Sequence, residues 1–291
     1  MSRDPIIAGT DGSPTANLAV DKAGELGQAL GAPVHVVCVP SALPGRDSPR
    51  TAAQQIVVEA GDRLRSRGIT VQTQVPEGDA ALALVAVAEQ EHAQMIVVGN
   101  KGMTGIRRVL GSLPNQVSHQ ARCGVLIVRT KSRSLAEFGG SSIVVGTNGS
   151  SDAMGAVKEA IRLSKALGSE LHIVSIYKPP TTVYMPPHSP ESAVAAAAAE
   201  ASDQGVDAIT HVTRDEPVAA LLDVANKNDA AIIVISHAGM HADQGVLGNI
   251  PDTLSHKGTS SVLIVSTADA SGSDRDEMSA NAGLPGDDAG T

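Results

Sequence analysis

The chain has 291 residues, of which 42% are apolar, enough for two ordinary domains with packed cores. Trp is absent and aromatic residues are limited to one Phe and two Tyr, so those cores must be aliphatic, as in parallel sheets buried on both faces. A net charge of −9 without a long basic run excludes a nucleic-acid surface, and no stretch approaches the roughly 18 apolar residues of a membrane span.

In chain order, Pro5–Gly9 reads as a short buried strand. Thr15–Leu30 carries apolar residues at helical spacing, and Gly31 is placed to end that helix. Pro33–Val39 is a second strand, Pro49–Arg67 a helix closed by Gly68, and Ile69–Val75 alternates as an edge strand does. Asp79–Glu91 is a helix with Asp79 as its N-cap. Gln94–Val98 is a strand, Ser112–Gln120 a helix and Gly124–Arg129 a last strand. Strands alternating with helices predict a parallel sheet covered on both faces.

The chain then repeats itself. "IIAGTDGS" at Ile6–Ser13 returns as "IVVGTNGS" at Ile143–Ser150, and "MIVVGNKGM" at Met95–Met103 as "IIVISHAGM" at Ile232–Met240. "GVLIVRT" returns as "SVLIVST", and every pair is offset by 137 positions. A constant offset means two copies of one unit. The expected division is residues 1–130, a polar linker at 131–142, residues 143–267, and an acidic tail at 268–291 too poor in large apolar groups to order itself. The second copy contains an Ala-rich helix around Ser192–Ala201. Cys38 and Cys123 lie in or beside apolar runs and read as small buried hydrophobes, not a disulfide framework. The N-terminus has no apolar segment of signal-peptide length, so a cytoplasmic protein is expected.

Open α/β sheets bind ligands beyond the carboxyl ends of their strands. Two segments put unusual residues there: "GTDGS", Gly9–Ser13, and "GNKGMTGIRRVLGS", Gly99–Ser112. Without Cβ atoms, Gly99 and Gly102 can take positive φ and bring backbone N–H groups close to an anion. Gly111 and Ser112 open a helix whose free N–H groups favour phosphate. Lys101, Arg107 and Arg108 add positive charge, and Asp11 can accept hydrogen bonds from a ribose hydroxyl. The bland alternative is a tight turn with solvated cations.

"GTDGS" after strand one, "VVGNKG…LGSLPNQV" after strand four and "CGVLIV" for strand five resemble the universal stress protein family, over about Ile6–Val128 and Ile143–Val265. Nucleotide-binding members of that family carry Gly-x2-Gly-x9-Gly-Ser/Thr after strand four. Here Gly99-x2-Gly102 and Gly111-Ser112 match, but the second spacer, Met103–Leu110, has eight residues. The resemblance implies an α/β fold of two tandem open five-stranded parallel sheets, each in the order 3-2-1-4-5, with helices on both faces. It puts Asp11 at the adenine–ribose end, the backbone of Val39 against adenine, and Gly99, Gly102, Gly111, Ser112 and Leu113 around the phosphates. With Gly9, Thr10 and Arg108 these make the candidate site. ATP, with or without Mg²⁺, is the implied ligand, and cyclic AMP and AMP are the alternatives. The resemblance further implies that Val125–Val128 and Val262–Val265 can pair within the chain, or that a homodimer forms.

The second copy is a control. Asp11 becomes Asn148, Gly99 becomes Ser236 and Ser112 becomes Asn249, while the loop 236–249 has Asp243 and neither Lys nor Arg. An anion should prefer the first copy. No residues form a metal-ligand spacing, a nucleophile elbow or a Walker loop. The expectation is a nucleotide-binding regulatory protein, hydrolysing ATP slowly at most, with no catalytic residue assigned. A pure interaction module and an adenylating enzyme (whose Ser-Gly-Gly-x-Asp-Ser loop "TDGS" matches only in part) are the rivals.

Overall fold

The computed structural model describes residues 4–40, 48–100, 112–129, 141–177, 188–237, 253–254 and 257–266. The first half runs β1 (Ile6–Gly9), α1 (Pro14–Leu30), β2 (Val34–Val37), α2 (Pro49–Arg65), β3 (Val71–Gln74), α3 (Ala80–Gln90), β4 (Met95–Gly99), α4 (Ser112–Gln120) and β5 (Gly124–Val128). The second half repeats the order: β6 (Ser142–Gly146), α5 (Ser151–Leu167), β7 (Glu170–Ile176), α6 (Pro190–Asp203), β8 (Ala208–Thr213), α7 (Pro217–Lys227), β9 (Ala230–Ser236) and β10 (Ser261–Val265).

Local chemistry accounts for the element ends. Ser13 and Ser150 cap α1 and α5 by accepting the N–H of Ala16 and Ala153 at 3.3 Å each. Gly31 and Gly168 end the same helices in the left-handed conformation, at φ 63° in both. Asp79 caps α3 as its position predicts, accepting from Ala81 and Leu82.

The strands form one sheet in the order β3-β2-β1-β4-β5-β10-β9-β6-β7-β8. The α/β class and the order 3-2-1-4-5 hold within each half. The difference from two five-stranded sheets lies at the centre, where β5 and β10 pair antiparallel, registering Ile127 with Val262, Leu126 with Leu263 and Val125 with Ile264. An apolar strand left at an edge exposes unpaired backbone groups, and this pairing covers both. Two aliphatic layers run the length of the sheet. Ile6, Val34, Val97 and Leu126 pack under α1 and α2, continuing under α5 and α6. Ile7, Val37, Val98 and Ile127 pack under α3 and α4, continuing under α7. Among the described residues no helix is long and apolar enough to cross a membrane. Cys38 is buried as expected, whereas Cys123, in the turn before β5, is only half-buried.

Candidate functional site

The order β2-β1-β4 puts the direction change of the first half between β1 and β4. Ala8 registers with Val97, and Gly9 with Val37. Asp11 and Val39 stand two residues beyond the ends of β1 and β2, and Asn100 stands one beyond the end of β4, so the three head neighbouring strands. The strand ends are tied down: Thr10 N–H donates to Val37 O and Asn100 N–H to Val128 O, both at 2.9 Å. The structure thus puts Gly9–Ser13 and the described start of the second segment, Gly99 and Asn100, at the ends of neighbouring strands.

The "GTDGS" loop is ordered by its own side chains. Thr10 Oγ1 accepts the Gly12 N–H at 3.1 Å, and Asp11 Oδ1 accepts the Ser13 N–H at 2.9 Å. These are the local turns that Thr and Asp side chains favour. The residue that needs positive φ here is Gly12, at 78°. The second half copies all of it: Gly149 has φ 78°, Thr147 Oγ1 accepts the Gly149 N–H at 3.1 Å, and Asn148 Oδ1 accepts the Ser150 N–H at 3.0 Å. The turn therefore needs an oxygen at position 11, and Asn supplies one as well as Asp does. What Asp11 adds is charge. That charge is felt next door, because burial first and the Asp11 carboxylate second push the Cys38 thiol up to about 11.

Gly99 corrects the reading of its role. Its φ lies outside the left-handed region that marks seven other glycines. It is glycine because α1 passes over it: a Cβ would stand 2.9 Å from both Cγ2 and the carbonyl oxygen of Thr15. Ser236, its counterpart, is 92% buried and carries a side chain at the same strand end, so there the helix leaves room. Nor is Ser236 strained by its backbone. Gly9 serves packing in the opposite layer, where a Cβ would meet Leu84 at 3.0 Å and Val98 at 3.2 Å.

Thr10 is buried, and Asp11, Val39 and Gly99 are half-buried at the strand ends. Ser112 begins α4, and Leu113 packs into the layer under α3 and α4. Gly102, Arg108 and Gly111, with Lys101 and Arg107, lie outside the described residues, as do Gly239, Asp243, Gly248 and Asn249 of the second half. Sequence reasoning missed Asn100, 92% buried beside Gly99, and Thr15, whose contact with Gly99 is a tertiary fact. It also missed that α5 opens with Asp152 in its first turn where α1 has no acid. An acid there repels an anion from the second half's edge. Among the described residues no group of three His, Cys, Asp or Glu side chains is placed to hold a metal.

With this geometry, the chain matches the model of the universal stress protein family over residues 2–129 and again over 141–266. A universal stress protein of Mycobacterium tuberculosis is 32% identical over 142 residues, covering 43% of this chain and 95% of the relative. One of Mycolicibacterium smegmatis is 26% identical over 233 residues, covering 75% of this chain and 77% of the relative. Among solved structures, a universal stress protein from Archaeoglobus fulgidus superposes with a TM-score of 0.72 at 18% identity, over 91% of this chain and 99% of that one. This last likeness concerns the fold.

Proposed function

The chain belongs to the universal stress protein family, and from that premise we propose that its first half binds an adenine nucleotide, ATP foremost, beyond the ends of β1 and β4. One observation carries the reading: Asp11, Val39 and Asn100 head three adjacent strands at the direction change, and Asn100 leads in sequence into Lys101, Arg107 and Arg108. Asp11 takes the ribose, the Val39 backbone the adenine edge, and the loop with the start of α4 the phosphates. Mg²⁺ would accompany the phosphates of ATP. The second half, with Asp152 in the first turn of α5 and no Lys or Arg in the sequence 236–249, binds nucleotide weakly or not at all.

The protein is a nucleotide-responsive regulatory protein rather than a dedicated catalyst, with ATP hydrolysis slow at most. Because β10 occupies the outer edge of β5, the second half stands where a separate copy would otherwise pair. A monomer follows from this reading, with the junction inside one chain.

A second reading, an interaction module without nucleotide, draws on the packing roles of Gly9 and Gly99 and on the turn that both halves share. Calorimetric titration of the full chain with ATP, AMP, cyclic AMP and adenosine separates the two. Saturable heat at one site per chain is expected with the nucleotides. No heat at millimolar ligand overturns the first reading in favour of the second.

A further inference from the structure

We propose that Glu170, His172 and His211 form an acid-sensitive latch that fastens β8, the outer strand of the second half, to β7. The inference is independent of the nucleotide reading. His172 Nε2 lies 3.0 Å from a Glu170 carboxylate oxygen, and His172 Nδ1 lies 3.0 Å from His211 Nε2. The ring centroids are 5.2 Å apart, so the rings meet nitrogen to nitrogen rather than face to face. His172 is buried and His211 half-buried, so the contact between them is sheltered from water.

Counting hydrogens shows what holds the latch. A carboxylate can only accept, so His172 Nε2 carries a hydrogen and donates it to Glu170. While both rings are neutral, His172 Nδ1 must accept, and His211 Nε2–H donates to it. One added proton keeps the bridge. His172 becomes the cation beside Glu170, its Nδ1–H donates, and His211 accepts at Nε2 with its own hydrogen on Nδ1. A second proton ends the bridge, because two N–H groups and two positive charges then face each other.

Leu171 and Ile173 face α5 and α6, so His172 and His211 lie on the other face, where α7 packs through Leu221 and Val224. Among the described residues, the charged groups on the elements of that face are Glu170 on β7, Asp207, Arg214 and Asp215 flanking β8, and Glu216, Asp223 and Lys227 on or capping α7. Asp215 accepts the Thr213 hydroxyl, Arg214 lies over the Tyr177 ring, and Asp223 and Lys227 pair at 2.7 Å. Glu170 is the one that meets a histidine. Burial first and His172 second hold the His211 pKa below its ordinary 6.5, so an opened strand takes up the second proton more readily than a latched one. Opening is therefore favoured as pH falls below that value. The first half has no such pair. Gln74, 137 positions before His211, donates to Glu91, and His35 lies 3.8 Å from the same carboxylate, whose charge attracts a proton. Asn228, in the place of Glu91, bonds to Val224 and Ser142 instead.

Hydrogen exchange of the full chain, read as protection corrected for the intrinsic effect of pH on exchange, tests the latch. Between about pH 7.5 and about pH 5.5, protection over β7 and β8 should fall about tenfold relative to β6 and β9. His211→Gln, which copies Gln74, should abolish that difference. No fall in wild type, an equal fall in the variant, or an equal fall in β6 and β9 overturns the proposal. Glu170→Gln removes the charge that favours the first proton, so the midpoint of opening should move down by about one pH unit. An unmoved midpoint overturns the three-residue latch. If His211→Gln does not fold, the exposed Glu170 position decides by the same comparison.

Discussion

Gly99 and Thr15 approach so closely that a β-carbon on residue 99 would stand 2.9 Å from the Thr15 carbonyl oxygen. This contact sets α1 down on the end of β4 and fixes the wall of the candidate site. Backbone cannot retreat as a flexible side chain can, so overpacking here should cost about 1–3 kcal/mol. Gly99→Ala is expected to lower the urea midpoint by that equivalent. A variant as stable as wild type would show that α1 can lift, and would return Gly99 to a purely loop role.

Asp11 has two separable duties. Its Oδ1 orders the turn by accepting the Ser13 N–H, and its charge belongs to the proposed ribose contact. Asp11→Asn should retain stability, because Asn148 makes the same turn in the second half. Asp11→Ala should lose about 1 kcal/mol. Both should weaken ATP binding, the Asn variant by roughly tenfold. Unfolding curves beside nucleotide titrations check this: an Asn variant with full affinity leaves Asp11 only its turn.

Leu126 and Leu263 face each other across the antiparallel junction and are both buried. Leu263→Ala should therefore cost about 2–5 kcal/mol through the cavity it leaves. Because the two layers run across the junction, wild type should unfold in one transition. Calorimetry should resolve two transitions in a variant such as Ile127→Pro, which removes a backbone donor from the ladder. Two transitions already present in wild type would mean that the junction does not couple the halves.

A histidine pair, His172 buried and His211 half-buried, distinguishes the second half. His172 Nδ1 lies 3.0 Å from His211 Nε2, and His172 Nε2 lies 3.0 Å from a Glu170 carboxylate oxygen. Burial first and His172 second hold the His211 pKa below its ordinary value of 6.5. The unfolded chain then takes up its proton before the folded one does. Stability from this group is full above the unfolded value and falls as pH drops below it towards the folded value. His211→Gln copies Gln74, which occupies the same register beside β2. The variant should lose less stability than wild type between about pH 7.5 and about pH 5.5. Equal losses in urea midpoint would remove His211 as a source of the pH dependence.

The sequence by itself determined the repeat, the α/β alternation and nearly every element boundary. These follow from local rules: Gly31 and Gly68 sit where helices end, Asp79 caps α3, and strands buried on both faces read as runs such as "MIVV". It also marked the two segments that follow β1 and β4, because Gly and Asp after buried strands are locally odd. Position 11 was legible as a hydrogen-bonding residue, but the shared turn chemistry of Asp11 and Asn148 was not. Only the tertiary structure decided why Gly99 is glycine, since a helix distant in sequence supplies Thr15. Asn100 likewise acquires its place through a neighbouring strand, whose Val128 carbonyl accepts its N–H. Tertiary structure also joined the halves into one sheet, because strand edges are satisfied by whichever partner the packing brings beside them.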